Sequence, residues 1–200
     1  MIIELFGLPC TGKSTLARSL ESTGRARRIR IESRGELLWR GAVYAFGHPL
    51  DALMQLSYLI RYAGSPQLYY TKFMNLFLQH AAKYQKARSA TDTVVIDQGH
   101  LQNLLSLFER PVSREELVRY LAFLPKPDQV WVCEASDDER ERRLRARGQD
   151  GRAGESSAVR TERARAAREN FVASAGILSG NPSFSVRVIT AGQDVDALVV

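Results

Sequence analysis

The run Ile2-Ile3-Glu4-Leu5-Phe6 leads directly into Gly7-Leu8-Pro9-Cys10-Thr11-Gly12-Lys13-Ser14, and an amphipathic stretch over Thr15–Glu21 follows. The first segment is apolar and of strand length, while the third has helical periodicity. Between them stands the pattern G-x-x-x-x-G-K-S. Such a loop must curl consecutive backbone N–H groups around an anion, so glycine is needed where the chain takes conformations closed to other residues. The helix that starts near Lys13 turns its positive dipole end toward the same anion. A strand before and a helix after supply the context that the motif requires.

The chemistry expected of this loop is phosphate binding. Lys13 places a point charge over the β- and γ-phosphates of ATP, and the Ser14 hydroxyl is a ligand for Mg²⁺. Gly7, Pro9, Cys10, Thr11, Gly12, Lys13, Ser14 and Thr15 are the expected nucleotide-contacting set. Backbone groups make most contacts in such a loop, so Cys10 reads as a small tolerated residue rather than a redox group.

Outward from the loop, apolar runs alternate with longer amphipathic stretches, the pattern of a βαβ fold with a parallel sheet. Further strands are expected at Arg28–Glu32, Thr93–Asp97, Gln129–Cys133 and Phe184–Ile189. Val94-Val95-Ile96 and Val130-Trp131-Val132 are unbroken apolar runs, as suits strands covered on both faces. A long helical region runs from about Leu37 to Arg88, with breaks near His48-Pro49 and Gly64-Ser65-Pro66. Ser113 with Glu116, and Ser136 with Glu139, stand at capping-box spacing and mark two later helix starts. Gly148 to Ser157 lacks apolar periodicity and reads as a loop, and a last helix is expected over about Ala158–Ala175.

Three groups of side chains outside the loop carry candidate chemistry. Asp97 ends an apolar strand, and ligands of doubly wound sheets gather at the carboxyl ends of strands, so Asp97 is placed to hold Mg²⁺ or accept a proton. Glu32 ends the second strand in the same way and is a candidate base for an acceptor hydroxyl, with surface pairing to Arg30 or Arg34 as the plainer reading. Arg140, Arg143 and Arg147 share a helical face and Arg152 sits in the adjoining loop, where closing cations would stabilise the charge of a phosphoryl group in flight. Tyr69, Tyr70, Phe73 and Phe77 have helical spacing and read mainly as core. Stacking on a planar acceptor by one of them, or by Trp39, is the alternative.

The totals agree with a single globular domain. The chain has 200 residues, ordinary apolar and charged fractions and a net charge of +6. Its two cysteines lie far apart, which argues against a disulfide framework and for a reducing compartment. No apolar run reaches the length of a membrane span and no leader precedes the first strand, so a cytoplasmic location is expected. Arginine clustering between Arg140 and Arg168 suits phosphorylated small molecules better than a nucleic-acid track.

Together with the loop, Glu141–Gly148, Asp150-Gly151-Arg152 and Glu155 resemble the lid approach and D-R-x-E lid of the thymidylate-kinase-like nucleotide and nucleoside kinases. Glu162–Phe171 resembles the helix after that lid, and Ile189–Asp194 the family's adenine-side loop. The resemblance implies an α/β, three-layer P-loop NTPase fold: a five-stranded parallel sheet, helices on both faces and an Arg-rich lid at about 148–157, in one domain spanning 1–200. It implies Lys13 and Ser14 as phosphate and Mg²⁺ contacts, Asp97 as the acidic strand-end residue, and Arg143, Arg147 and Arg152 as lid residues. Ala191, Gly192 and Gln193 would flank the adenine, and dimers are common among such relatives. Two departures bear on the acceptor. Arg30-Ile31-Glu32-Ser33-Arg34-Gly35 only echoes the family's T-R-E-P-G-G signature, and Gln98 stands where an arginine usually follows the strand-end acid; a neutral amide does not replace that charge. The sequence therefore leaves a nucleotide, a nucleoside and a sugar or antibiotic-like hydroxyl compound open as acceptors. A nucleotide-hydrolysing switch remains as another class, although N-K-x-D is absent.

Overall fold

In a computed structural model of the chain, which describes residues 1–146 and 156–190, five parallel strands form one sheet in the order β2-β3-β1-β4-β5. These are β1 (Ile2–Phe6), β2 (Arg27–Arg28), β3 (Val94–Ile96), β4 (Gln129–Glu134) and β5 (Val186–Thr190). β1 lies at the centre, with Ile3 in register with Val95 of β3 and Gln129 of β4. All five expected strands are present. The second is shorter than the Arg28–Glu32 run predicts, for a local reason. Ile29 N–H still reaches Val95 O at 3.0 Å. Beyond it, Glu32 N–H donates to Glu36 Oε2 and Ser33 Oγ accepts from Glu36 N–H. Capping the next helix therefore draws these residues out of the sheet.

The helical elements follow the punctuation of the sequence. α1 (Lys13–Ser22) leaves the loop; α2 (Arg34–Gly47), α3 (Pro49–Tyr62) and α4 (Pro66–Lys72) are separated at His48-Pro49 and at Gly64-Ser65-Pro66. Phe73–Leu78 is π-helical and runs into α5 (Gln79–Arg88), a widening that the sequence did not announce. A short 3-10 turn, His100–Gln102, and α6 (Asn103–Leu107) follow β3. Ser113, Ser136 and Ser156 each accept from the backbone N–H three residues on, opening α7 (Arg114–Ala122), α8 (Asp137–Ala146) and α9 (Ser157–Ser179). Among the described residues no helix is long and apolar enough to cross a membrane.

Side chains of the central strands alternate between two cores. Ile3, Leu5, Val95, Trp131 and Cys133 pack against Ala17 and Leu20 of α1. On the other face Phe6, Ile96, Val130 and Val132 meet Tyr44, Phe77, Leu104 and Phe171 from the remaining helices. Both faces are covered, which accounts for the unbroken apolar runs. Cys10 and Cys133 are buried and free. The chain leaving β1 returns on one side of it and the chain leaving β3 on the other, so a crevice opens at the carboxyl ends of these adjacent strands.

Candidate active site

Close packing builds the loop in that crevice. A Cβ on Gly7 would stand 2.5 Å from Cys133 O, so only glycine lets β1 pass this close to β4. Gly12, with φ of 98°, turns the chain into α1. Cys10 also takes a left-handed backbone, φ 66°, a conformation uncommon for a non-glycine residue and often found at working sites. Thr11 Oγ1 donates to Leu8 O at 3.0 Å and holds the turn closed. Thr15 is exposed on the first turn of α1, its N–H bonded to Gly12 O at 2.9 Å, and Pro9 is exposed at the loop's tip.

Lys13 is buried, and its ammonium donates to Gly7 O and Leu8 O, both at 2.7 Å. Burial lowers its pKa to about 8. Arg143 reaches the loop from α8, its Nη1 donating to Cys10 O at 3.1 Å while Glu139 holds its Nε at 2.7 Å. Arg140 Nε donates to Pro9 O at 3.3 Å, and Asp137 pairs with it at 3.0 Å. Three cations thus meet one loop from two elements.

Asp97 closes the other side. Ser14 Oγ donates to Asp97 Oδ2 at 3.5 Å, so the two expected Mg²⁺ contacts lie together. Arg28 of β2 is ion-paired to the same oxygen, and Lys83 of α5 stands 3.4 Å from Oδ1. Burial opposes the charge on Asp97, but Lys83 and Arg28 outweigh it and hold the carboxyl below its usual range. Such a carboxylate is a weak base. Burial likewise pushes the pKa of Lys83 down.

Glu32 belongs to a different set. Its carboxylate is 82% exposed, with Lys86 at 3.9 Å, and the shortened β2 no longer carries it at a strand end. Phe73 and Phe77 stack at 5.6 Å as part of the wall, with Phe77 buried, whereas Tyr70 and Trp39 point to solvent. Arg147, Arg152, nearly all of the expected lid, and Ala191, Gly192 and Gln193 lie outside the described residues. The sequence did not point to Arg28 or Lys83. Neither sits in a recognisable motif, and only the placement of β2 and α5 beside β3 brings them to Asp97.

Among solved structures the chain is similar to a deoxyadenosine kinase from M. mycoides, with 17% identity, a TM-score of 0.52, and 100% of this chain and 95% of that chain covered. It is also similar to a thymidylate kinase from Candida albicans, with 14% identity, a TM-score of 0.52, and 99% and 87% of the two chains covered. At these identities the likeness establishes the fold. No curated protein matches the sequence. The family model described as an AAA domain matches residues 2–173, from the first strand through most of α9. This chain therefore belongs to the AAA domain family and has the P-loop kinase fold.

Proposed function

We propose that the chain is an ATP- and Mg²⁺-dependent phosphotransferase that moves the γ-phosphate to a small nucleotide or nucleoside-like acceptor, a nucleotide's phosphomonoester being favoured over a nucleoside hydroxyl. One observation carries the reading: the glycine-built loop, with Lys13, Arg140 and Arg143 on it, faces Asp97 across the Ser14 hydroxyl. Loop N–H groups and the start of α1 bind the phosphates. Lys13 exchanges its carbonyl partners for phosphate oxygens, and Arg143, tethered by Glu139, meets charge developing on the transferred group. One hydroxyl and one carboxylate are hard oxygen donors that suit Mg²⁺, which takes its remaining ligands from phosphates and water. When bound, that ion would neutralise phosphate charge, with Ser14 and Asp97 holding it.

The acceptor side favours an anion. A hydroxyl acceptor needs a base, and Asp97, held ionised between two cations, is a poor one. A phosphomonoester oxygen is already charged and needs neutralisation only, which Arg28 and Lys83 offer in place of the arginine replaced by Gln98. Arg147 and Arg152 as lid cations, Ala191 to Gln193 as the adenine side, the single domain over 1–200 and a cytoplasmic setting complete the reading. A second copy docking on the outward-facing Phe46, Leu50, Leu53 and Ile60 is the partner state these side chains support, to be checked by light scattering.

The test is ADP release from Mg·ATP with a panel of nucleoside monophosphates, nucleosides, sugars and antibiotics, using Lys13→Ala as control. Stimulation by a monophosphate that the control lacks is the expected result. Stimulation by hydroxyl compounds alone would overturn the anionic acceptor, and silence across the panel would favour a nucleotide-driven switch.

A further inference from the structure

β1 carries one polar side chain within the sheet, Glu4, in register with Ile96 of β3 and Val130 of β4. It is fully buried, on the face that also carries Phe6. After Asp97 the chain folds across it. A Cβ on Gly99 would stand 2.5 Å from Glu4 Cδ and 2.6 and 2.8 Å from its two oxygens, so the carboxyl lies flat against the Gly99 Cα. With φ of −121°, Gly99 is required for space rather than for backbone freedom. Leu101 N–H donates to Glu4 Oε1 at 2.6 Å, while Oε2 has no hydrogen-bond partner among the described residues. Nothing in the phosphate chemistry above uses this carboxyl.

Two charged or titratable groups interact with it, and two histidines lie in or near the segment that covers it. Lys83 and Tyr84 of α5 feel its charge. His100, in the covering segment, and His80, at a ring distance of 6.2 Å from it, are both kept neutral by burial. Lys83 is shared, since its ammonium also holds Asp97 Oδ1 at 3.4 Å and Gln98 O at 3.2 Å. An ionised Glu4 would compete for that ammonium; an uncharged one leaves it to Asp97.

We propose that Glu4 is a positioning residue for Asp97: it braces the segment from Gly99 to Leu101, which follows directly on the strand-end carboxylate, and leaves Lys83 paired with that carboxylate. Burial raises its pKa to about 8, which keeps it largely protonated at neutral pH. The brace itself is a property of the free protein; its effect on nucleotide handling rests on the function proposed above.

The test is an NMR titration of the full-length, ligand-free chain from pH 6.5 to 9.5, reading the Leu101 amide and the Asp97 carboxyl carbon. The Leu101 amide should show a step near pH 8 in the wild type and none in Glu4→Gln, the isostere of the uncharged form, while the Asp97 carbon, which also senses Lys13, should keep only the Lys13 part of its response. At pH 7, Glu4→Gln should bind Mg·ADP within about twofold of wild type, and Glu4→Ala about tenfold more weakly. If Glu4→Ala does not fold, Gly99→Ala disturbs the same contact from the other side and should weaken binding alike. A wild type whose Leu101 amide shows no step near pH 8, or a Leu101 step that survives in Glu4→Gln, overturns the proposal. Absence of Mg·ADP binding in the wild type would instead refute the nucleotide reading, and the titration would still decide the role of Glu4.

Discussion

The phosphate loop and the helical wall beside it are assembled by different means. In the loop, backbone makes the structure: Gly7 against Cys133 O, Gly12 at φ 98° and Cys10 at φ 66°. Each requirement falls on one position and restricts its residue type. In the wall, side chains make it. Tyr44 of α2 stacks on His100 at 5.4 Å and meets Tyr84 and Phe77 edge-on at 6.3 and 6.5 Å. Rings can exchange places while volume and pattern are kept, so a wall of this kind writes no motif. The cations on its side proposed to meet the acceptor, Arg28 and Lys83, come from β2 and α5 and meet only at Asp97.

If the loop carries the chemistry, its cation should dominate every other substitution. Lys13→Ala is expected to lower ADP formation by about 10³-fold, the upper range for losing one preorganised charge, with an unchanged circular dichroism spectrum. Equal loss in Arg140→Ala, whose side chain meets the loop from outside it, would erase the contrast. Asp97→Asn should cost about 10²-fold in turnover and raise the Mg²⁺ concentration needed for half-maximal rate, since it weakens both the metal contact and the hold on Arg28 and Lys83. Gly7→Ala should destabilise the fold by about 2–3 kcal/mol in denaturant melts, because its Cβ meets backbone that cannot swing away.

A smaller effect comes from the buried titratable groups of the wall. His80, kept neutral by burial, has its pKa lowered to about 3 from 6.5, so below pH 6.5 the unfolded chain takes up protons that the native one refuses. Stability on this account rises with pH up to about 6.5, and His100 acts in the same direction. Glu4 has the opposite sign: between 4.5 and about 8 the native chain keeps a proton that the unfolded one has lost, and stability falls as pH rises. From pH 6.5 to about 7.5 Glu4 sets the slope, about 1 kcal/mol at roughly 1.4 kcal/mol per unit, and toward pH 8 the lowered pKa of Lys13 opposes it. Denaturant midpoints should therefore peak near pH 6.5, and Glu4→Gln should flatten the alkaline side. The least effect is expected at Glu32→Gln, less than about twofold in turnover, because its exposed carboxylate pairs only weakly with Lys86. A larger loss there would move the acceptor site toward α2.

The parts of this molecule legible in its sequence are those governed by local rules. Strand order could not be read, but strand positions could, because Val94-Val95-Ile96 and Val130-Trp131-Val132 are buried on both faces. Ser113 and Ser136 announced their helices because a cap is a contact over three residues. The run Arg28–Glu32 misled because its apolar alternation competes with the cap at Ser33, which the strand pattern alone does not weigh. Lys83 was invisible for a different reason. A lysine in an amphipathic helix reads as solvated surface, and only α5 packing beside β3 turns it inward. Glu4 offered a signal that passed unused: a carboxylate amid the apolar residues of a central strand, a position that burial penalises unless the group is neutral or partnered.

The ammonium of Lys13, resting on the carbonyls of Gly7 and Leu8 with a pKa near 8, has a calorimetric consequence. At that pH about half of the empty molecules lack this proton, whereas phosphate oxygens around the amine restore it. Nucleotide binding at pH 8 should then draw up to about half a proton from the buffer, and the measured heat should change with the buffer's ionisation enthalpy.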